Sequence, residues 1–194
     1  MLNDNASLII VSCALTIVMI GGGIDISVGA VTSLVVMSCV LYLNSGGSII
    51  VSILLALGIG LGFGLVHGFL ISYLEIQPFI VTLAGMFFAR GMTTILSVNP
   101  QKADHEAFAK LRDMKIEIPF LGYTAKNGNF VPARMELGVV VALVCLIFIF
   151  ILLKYVRLGR NFYAMGGNQQ SALMLGINVK RTRFLSYILS GLLS

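Results

Sequence analysis

Two charged side chains, Asp25 and Arg90, lie inside long apolar stretches of this sequence. Asp25 follows three glycines in GGGIDISVGA at 21–30, and Arg90 lies in the segment GMFFARGMTT at 85–94. An unpaired charge at the centre of a bilayer costs from about 3 to more than 10 kcal/mol, so each side chain must face protein or water. Each is either a residue that lines or gates a polar pathway or a structural residue. The two are also candidate partners in an ion pair.

The lengths of the apolar runs beside Asp25 favour a structural role for its carboxylate. The runs Ala6–Ile20 and Ile26–Leu43 contain 15 and 18 residues and, as helices, extend about 22 and 27 Å. Each is shorter than the roughly 30 Å hydrocarbon core, so the break between them lies near one membrane boundary. We predict that the glycines end the first helix and that Asp25 caps the second by accepting the N–H group of Ser27 or Val28. A pathway or gating role of Asp25 and Ser27 is the alternative.

Motifs for enzyme chemistry are absent from the sequence. It contains no GxxxxGK[ST] phosphate loop, no HExxH zinc motif and no GxSxG nucleophile elbow. The two histidines are far apart, and the three cysteines lie inside apolar runs without CxxC spacing. We therefore predict no catalytic centre, no metal and no cofactor. Any ATP-driven work must be done by another polypeptide.

The composition, with 58% hydrophobic and 11% charged residues, predicts an integral membrane protein. The net charge of +5 comes from loops that flank apolar spans, so it indicates a membrane lipid surface rather than nucleic acid. We expect an all-α, polytopic transmembrane helical bundle, a single domain over 1–194, with a broken helix near residues 21–25. The six expected spans are Ala6–Ile20, Ile26–Leu43, Ile49–Leu74, Phe79–Val98, Met135–Lys154 and one that begins at Phe184.

The basic residues give the predicted orientation. Stretch 155–183 carries five basic residues and no acidic residue, so we place it in the cytoplasm. One span separates it from the loop 99–134, which is then external. The chain stops inside the apolar stretch FLSYILSGLLS, and we expect the natural polypeptide to continue beyond it.

Five glycines in the third span form two sets on different sides of a helix. Positions 58 and 62 share one side, and positions 60, 64 and 68 lie about 200° away. We expect close helix packing on both sides rather than contact with a substrate, and a hydrogen-bonded packing role for the neighbouring His67. The residues are Gly58, Gly60, Gly62, Gly64 and Gly68.

A short helix of about two turns is predicted in GRNFYAMGGNQQSALMLGIN at 159–178. Gly166 and Gly167 free the backbone, Asn168 can cap the helix and Gly176 can end it. So short a helix is marginal alone in water, and it needs a surface to lean on. The spacing alone leaves two surfaces open, the lipid headgroups and a partner protein.

Three stretches of the sequence occur together, and in this order, in one known family. GGGIDISVGA at 21–30, EIQPFIVTLAGMFFARG at 75–91 and the loop 159–178 carry the similarity. With them the chain resembles the permease subunits of bacterial ABC sugar importers of the ribose, xylose and galactofuranose type. Within that family, FFARG and the loop are most similar to the galactofuranose type.

The resemblance implies partners in the bacterial inner membrane and on both of its sides. These are a second permease subunit, in a homodimer or heterodimer, a separate ABC-type ATPase and a periplasmic sugar-binding protein. It also implies that 166–177 is the coupling helix, which enters a groove on the ATPase. The expected coupling residues are Gly166, Gly167, Asn168, Gln169, Gln170, Ser171, Ala172, Leu173, Leu175 and Gly176.

We therefore predict a permease subunit that moves a monosaccharide inward by alternating access, driven by ATP hydrolysis on its partner. A secondary transporter coupled to ions or protons through Asp25 and Arg90 is one alternative, and a non-transporting scaffold is another. Two positions depart from the family pattern. Gln169–Ala172 lacks the usual acidic residue and Ala-Ala pair, so no ionic contact with the ATPase is implied, and His67 stands where Asn is usual.

Overall fold

A computed structural model gives the structure of the protein for residues 5–99, 101–102, 115–124 and 130–194, with side chains for 5–99, 101–102 and 136–194. Helices make up most of this part of the chain, and two strands precede the fifth helix in our labelling. The elements in chain order are α1 (Ala6–Ile20), α2 (Val28–Asn44), α3 (Ile49–Ser72), α4 (Pro78–Leu96), β1 (Lys115–Thr124), β2 (Phe130–Glu136), α5 (Leu137–Tyr155), α6 (Arg157–Gly167), α7 (Gln169–Met174) and α8 (Val179–Leu193).

The predicted polytopic helical bundle is confirmed. In the described part of the chain, α3, α4 and α5 are long and apolar enough to cross a bilayer, and α1 and α2 are apolar but shorter. α2 begins at Val28 rather than at the predicted Ile26. The reason is a hydrogen-bonded turn that occupies the preceding residues, in which the Asp25 carboxylate accepts the Ser27 N–H group.

A two-stranded antiparallel hairpin lies largely within the predicted loop 99–134, where no strand was expected. The strands pair from Lys115 with Glu136 to Thr124 with Phe130, and the register shifts between Ile118 and Gly122. The start of β1 alternates charged and apolar residues in KIEI, the two-residue period that is typical of a strand. This alternation indicates a strand, but it extends over only four residues, which is too short to predict one.

The helices form two groups that α8 joins. α1 packs against α5, α6 and α8, whereas α2 packs against α3 and α4. The first group buries a cluster around Ile17 and Phe162, and the second buries one around Val31 and Ala89. Because α8 also packs along α3, it contacts both groups, and the break between α1 and α2 lies where they meet.

The two ends of the bundle differ in the connections that meet there. At the end that carries α7, the α7 end, Lys180 Nζ lies 2.8 Å from Glu75 Oε1, which joins the start of α8 to the α3–α4 loop. This hydrogen bond and the charge of Lys180 lower the pKa of the Glu75 carboxyl. At the opposite end, the hairpin end, the Asn44 side-chain amide donates to the Lys102 carbonyl at 2.7 Å. Which end faces the cytoplasm stays a prediction.

Candidate functional site

The break between α1 and α2 is a glycine-terminated turn, as predicted. Gly22 has φ +75°, a conformation that only glycine adopts freely. Its N–H group donates to the Met19 carbonyl at 3.0 Å, and that of Gly23 donates to the Val18 carbonyl at 2.9 Å. These two bonds form a Schellman motif, which satisfies the last carbonyls of α1.

Asp25 lies at the centre of the break, with 9% of its surface exposed. Its Oδ1 accepts the Ser27 N–H group at 3.0 Å, as predicted, and also the Ser27 hydroxyl at 2.6 Å. Its Oδ2 accepts the Ser190 hydroxyl of α8 at 2.9 Å. The residue at the N-cap position of α2 is Ser27, so Asp25 is not the N-cap residue that the sequence predicted. It orders the turn before α2 and ties that turn to α8.

Tyr187 is a second α8 side chain that holds the break, and the sequence analysis did not single it out. Its hydroxyl donates to the Ile24 carbonyl at 3.1 Å, and the side chain is fully buried. A Cβ atom at Gly23 would lie 2.7 Å from this hydroxyl, so glycine makes room for it. The spacing of Tyr187 and Ser190, three residues apart on one helix face, was the available signal.

His67 extends this polar group into α3. Its Nδ1 lies 3.5 Å from the Ser27 Oγ, and 4% of the side-chain surface is exposed. Across the ring lies α4, where a Cβ at Gly85 would overlap His67 Nε2. The polar side chains therefore run from Ser190 of α8, through Asp25 and Ser27 of the break, to His67 of α3. This agrees with the expected hydrogen-bonded packing role for the histidine.

An apolar groove of about 880 Å³ opens between α3 and α4, with α2 behind it. Its wall includes His67, Phe63 and Phe88. Gly58 and Gly62 also line it, and no described atom lies within 4 Å of a Cβ added at either glycine. Helix packing on this side of α3 is thus not seen among the described residues, and it stays a prediction.

The other glycine set packs α3 directly against α8, as predicted. A Cβ at Gly64 would lie 2.8 Å from the Tyr187 carbonyl oxygen, and one at Gly60 would overlap the Gly191 carbonyl oxygen. At Gly68, the added atom would lie 2.9 Å from the Phe184 ring. The absence of side chains here brings two helix backbones into contact, as in other glycine-mediated membrane interfaces.

Arg90 lies apart from this polar group. It is exposed on the described surface of α4 and does not line the groove. Asp25 and Arg90, both described in full, do not form an ion pair, so the structure does not contain this candidate pairing. Arg90 is five residues beyond Gly85, the α4 position beside His67, and therefore lies about 7.5 Å farther along α4 toward the hairpin end. A pathway role of Arg90 stays a prediction.

The helix α7 has the boundaries that its end residues predict. Asn168 Oδ1 accepts the Ser171 N–H group at 2.9 Å, and Gly176 ends the helix with φ +77°. Ala172 is buried in the same cluster as Phe162 and Met165 of α6, which anchors the helix to the bundle. Gln169 accepts a hydrogen bond from Arg183 of α8, and Gln170 and Ser171 are exposed.

The tip of α7 is an exposed apolar surface. Leu173, Met174 and Leu175 are 54%, 88% and 77% exposed. The two leucines are among the predicted coupling residues, whereas Met174, which stands between them, is not. Two of these large apolar side chains lie on the six-residue helix and the third is at its C-cap. Such an exposed apolar surface fits either of the two predicted surfaces, the lipid headgroups or a partner protein.

The helix α6 was not predicted, and it changes the interpretation of two glycines. Gly166 and Gly167 were expected to free the backbone before α7, but both are helical and form the last turn of α6. Leu158, Phe162 and Met165, at spacings of four and three, face the bundle and are the helical signal that was available. Gly166 is packed against the break, and no described atom lies within 4 Å of a Cβ at Gly167.

These features define a class: a multi-pass helical membrane protein with a short capped helix at one end of its bundle. The profile of the family described as the permease component of branched-chain amino acid transport systems matches residues 1–194, and the chain belongs to that family. No solved structure matches it.

Curated relatives narrow the comparison. The fructose import permease protein FruG of Bifidobacterium longum is 35% identical, over 98% of this chain and 55% of that protein. The inner membrane ABC transporter permease protein YjfF of Escherichia coli is 35% identical, over 97% and 54%. The galactofuranose transporter permease protein YtfT of Escherichia coli is 30% identical, over 98% and 52%. The chain spans about half the length of these relatives, and identity does not favour the galactofuranose name over fructose.

Proposed function

We propose that this chain is part of the permease subunit of an ATP-driven importer of monosaccharides in the bacterial inner membrane. The match to the permease family over the whole chain supports a transport role, and two of the relatives are named for sugars. The family description names branched-chain amino acids, so the substrate class rests on the relatives. ATP hydrolysis takes place on a separate ATPase subunit.

The observation that carries this proposal is the geometry of α7. Its buried Ala172 and its Asn168 cap hold a helix that is too short to be stable alone. The exposed tip, Leu173 to Leu175, is then presented at the α7 end of the bundle. We propose that this tip enters a groove on the ATPase, with the neighbouring polar residues of 166–176 around it.

The remaining partners follow from the same arrangement. The α7 end faces the cytoplasm, and the hairpin end, which includes the loop 99–134, faces a periplasmic sugar-binding protein. The sugar passes between this subunit and a second permease, so its affinity can reside in the binding protein. Asp25, Ser27 and Arg90 remain candidates for residues that line or gate the pathway.

The test uses the full-length permease in proteoliposomes with its ATPase and its binding protein. Met174→Asp should prevent co-purification of the ATPase and abolish ATP-dependent sugar uptake, because a charge replaces the most exposed apolar contact. Val98→Asp is the matched control, since Val98 is 83% exposed at the hairpin end. It should retain the ATPase.

Three results would contradict the proposal. ATPase association that survives Met174→Asp and Leu175→Asp together would exclude α7 as the docking helix. Uptake that continues without the ATPase, and stops when the proton gradient is removed, would indicate a secondary transporter. Sugar uptake that is unchanged in cells lacking the protein would indicate a scaffold.

A further inference from the structure

The contact between Gly22 and Gly166 joins the break to the helix that precedes α7. A Cβ at Gly22 would lie 3.5 Å from Gly166 Cα, and one at Gly166 would lie 3.2 Å from Gly22 N and overlap the Ile20 carbonyl oxygen. Beside it, the Met165 methyl group lies 3.0 Å from the position of a Gly21 Cβ. Two backbones touch here without an intervening side chain, so rotation of a side chain cannot absorb a displacement of either one.

The helices α6 and α7 are held together on the other side of this contact. Asn168 alone separates them, and its N–H group donates to the Ala164 carbonyl at 3.2 Å while its side chain caps α7. Phe162 of α6 and Ala172 of α7 belong to one buried cluster. A displacement of α7 therefore also displaces the end of α6 that carries Gly166.

The break is in turn fixed to α8 and to the start of α2. Tyr187 and Ser190 hold the Ile24 carbonyl and the Asp25 carboxylate, and the same carboxylate orders the turn before Val28. The break thus contacts α6 on one side and α8 on the other, and it continues directly into α2. When α6 moves, the break moves with it, and the position of α2 changes. α2 belongs to the second helix group, and α7 belongs to the first.

We propose that Gly166 is a positioning residue for transport: its backbone contact with Ile20 and Gly22 carries the displacement of α7 to the break and thereby to α2. This inference rests on the proposed function, because it requires that an ATPase bind and displace α7. It assigns a role to the close packing of Gly166 that goes beyond α7 docking itself.

The first test compares Gly166→Ala with Gly29→Ala in the full-length permease, reconstituted with its ATPase and binding protein. Gly29 is a helical glycine beside the break, and no described atom lies within 4 Å of its added Cβ. Gly166→Ala should lower sugar uptake per assembled ATPase roughly tenfold, within the range by which mutations along a coupling network act. Gly29→Ala should leave it near the wild-type value. Normal uptake per assembled complex in Gly166→Ala would overturn the inference.

A second test uses the wild-type complex, so it does not depend on the folding of a variant. Hydrogen exchange is measured for the permease alone, for its complex with the ATPase, and for that complex with a non-hydrolysable ATP analogue. The segments compared are 18–27, 169–176 and the turn 44–48. The turn is the control, since Gly46 has φ +86° in a similar helix-ending turn at the hairpin end. We expect protection to change together in 18–27 and 169–176 but not in 44–48.

The outcomes separate the two proposals. If addition of the ATPase leaves the exchange of 169–176 unchanged, the proposed docking on α7 is wrong. If 169–176 responds to the ATPase and to the nucleotide while 18–27 does not, docking stands and the role of Gly166 is overturned. A change of equal size in 44–48 would also count against transmission through Gly166, because the response would then be general.

Discussion

Replacing Gly60 by alanine should force α3 and α8 apart. The added Cβ would overlap the Gly191 carbonyl oxygen and lie 3.2 Å from the Gly191 carbonyl carbon, and these backbone atoms cannot rotate away. Overpacking of this kind costs about 1–3 kcal/mol, and contact with a backbone belongs at the upper end. Alanine gains up to about 1 kcal/mol over glycine in a helix. We expect a net loss of about 2 kcal/mol in the free energy of unfolding.

The same helix supplies matched controls in Gly58 and Gly62. Alanine at either position brings the same gain in helix propensity, and no described atom lies within 4 Å of the new Cβ. Each control should therefore be as stable as the wild type or more stable by up to about 1 kcal/mol. The difference between Gly60→Ala and Gly58→Ala isolates the cost of the overlap with α8.

Thermal unfolding of the full-length permease in detergent measures this difference. For chains of about 200 residues, 1 kcal/mol corresponds to about 2–4 °C in Tm, and the shift falls in proportion to length. The full-length relatives are about twice as long as this chain, so Gly60→Ala should lower Tm by roughly 2–4 °C. Equal Tm values for Gly60→Ala and Gly58→Ala would refute the reasoning, because close backbone packing at Gly60 would then contribute nothing. A loss in Gly62→Ala as large as in Gly60→Ala would mean that another element covers the groove.

Substitutions at three further positions test the polar contacts. Asp25→Ala should cost about 1–3 kcal/mol, since three donors lose a buried acceptor, whereas Asp25→Asn keeps an acceptor and should cost less in thermal unfolding. Gly85→Ala should lower Tm, because its Cβ would overlap the imidazole of His67. Glu75→Gln should reduce the loss of stability in acid. The folded-state pKa of Glu75 is lowered, so its pair with Lys180 stabilises the protein above the ordinary pKa of 4.5 and is lost as pH falls through the folded value.

Each of these substitutions has its own control. Gly91 lies on the same helix as Gly85, and no described atom lies within 4 Å of an added Cβ, so Gly91→Ala should leave Tm unchanged or raise it slightly. Lys180→Gln should give the same flattened pH profile as Glu75→Gln, and a wild-type profile in either variant would exclude the pair as its cause. Complete loss of transport in a folded Asp25→Asn protein would show that the carboxylate acts in the pathway as well as in the turn.

Local features of the fold could be predicted from the sequence because they depend on neighbouring residues. Runs of apolar residues bounded by proline or glycine located α1 to α5 to within two residues at each end, and Asn168 and Gly176 gave the ends of α7. The last span begins at Val179 rather than at the predicted Phe184, because Asn178 caps it before a basic first turn that the apolar run did not include. The spacing of Gly60, Gly64 and Gly68 predicted a packing face, although it did not identify α8 as the partner. The apolar spacing of α6 was present in the sequence, but the pair Gly166 and Gly167 was interpreted as a flexible segment, so no helix was predicted there.

Contacts between distant residues could not be predicted in this way. The bond between Asp25 and Ser190 joins positions 165 residues apart, and nothing in the local spacing of either residue points to the other. The candidate pair of Asp25 with Arg90 is absent for the same reason. Opposite charges alone do not show where the fold places the two side chains. Local helix propensity and apolar periodicity determine where helices form. The hydrogen-bond partners of Asp25, in contrast, depend on how the two helix groups pack together.

The break between α1 and α2 is irregular backbone inside an apolar chain, and its polar groups have partners. In a bilayer, irregular backbone is tolerated only where protein groups satisfy it. The N–H groups of Gly22 and Gly23 bond to α1, and the Ile24 carbonyl bonds to Tyr187. The Asp25 carboxylate accepts the Ser27 N–H group of the turn that follows. A structural and a transport role of Asp25 are therefore not exclusive. The bonds that stabilise the break also connect α8, which contacts both helix groups, to the start of α2. Relative movement of the two groups would act at this connection.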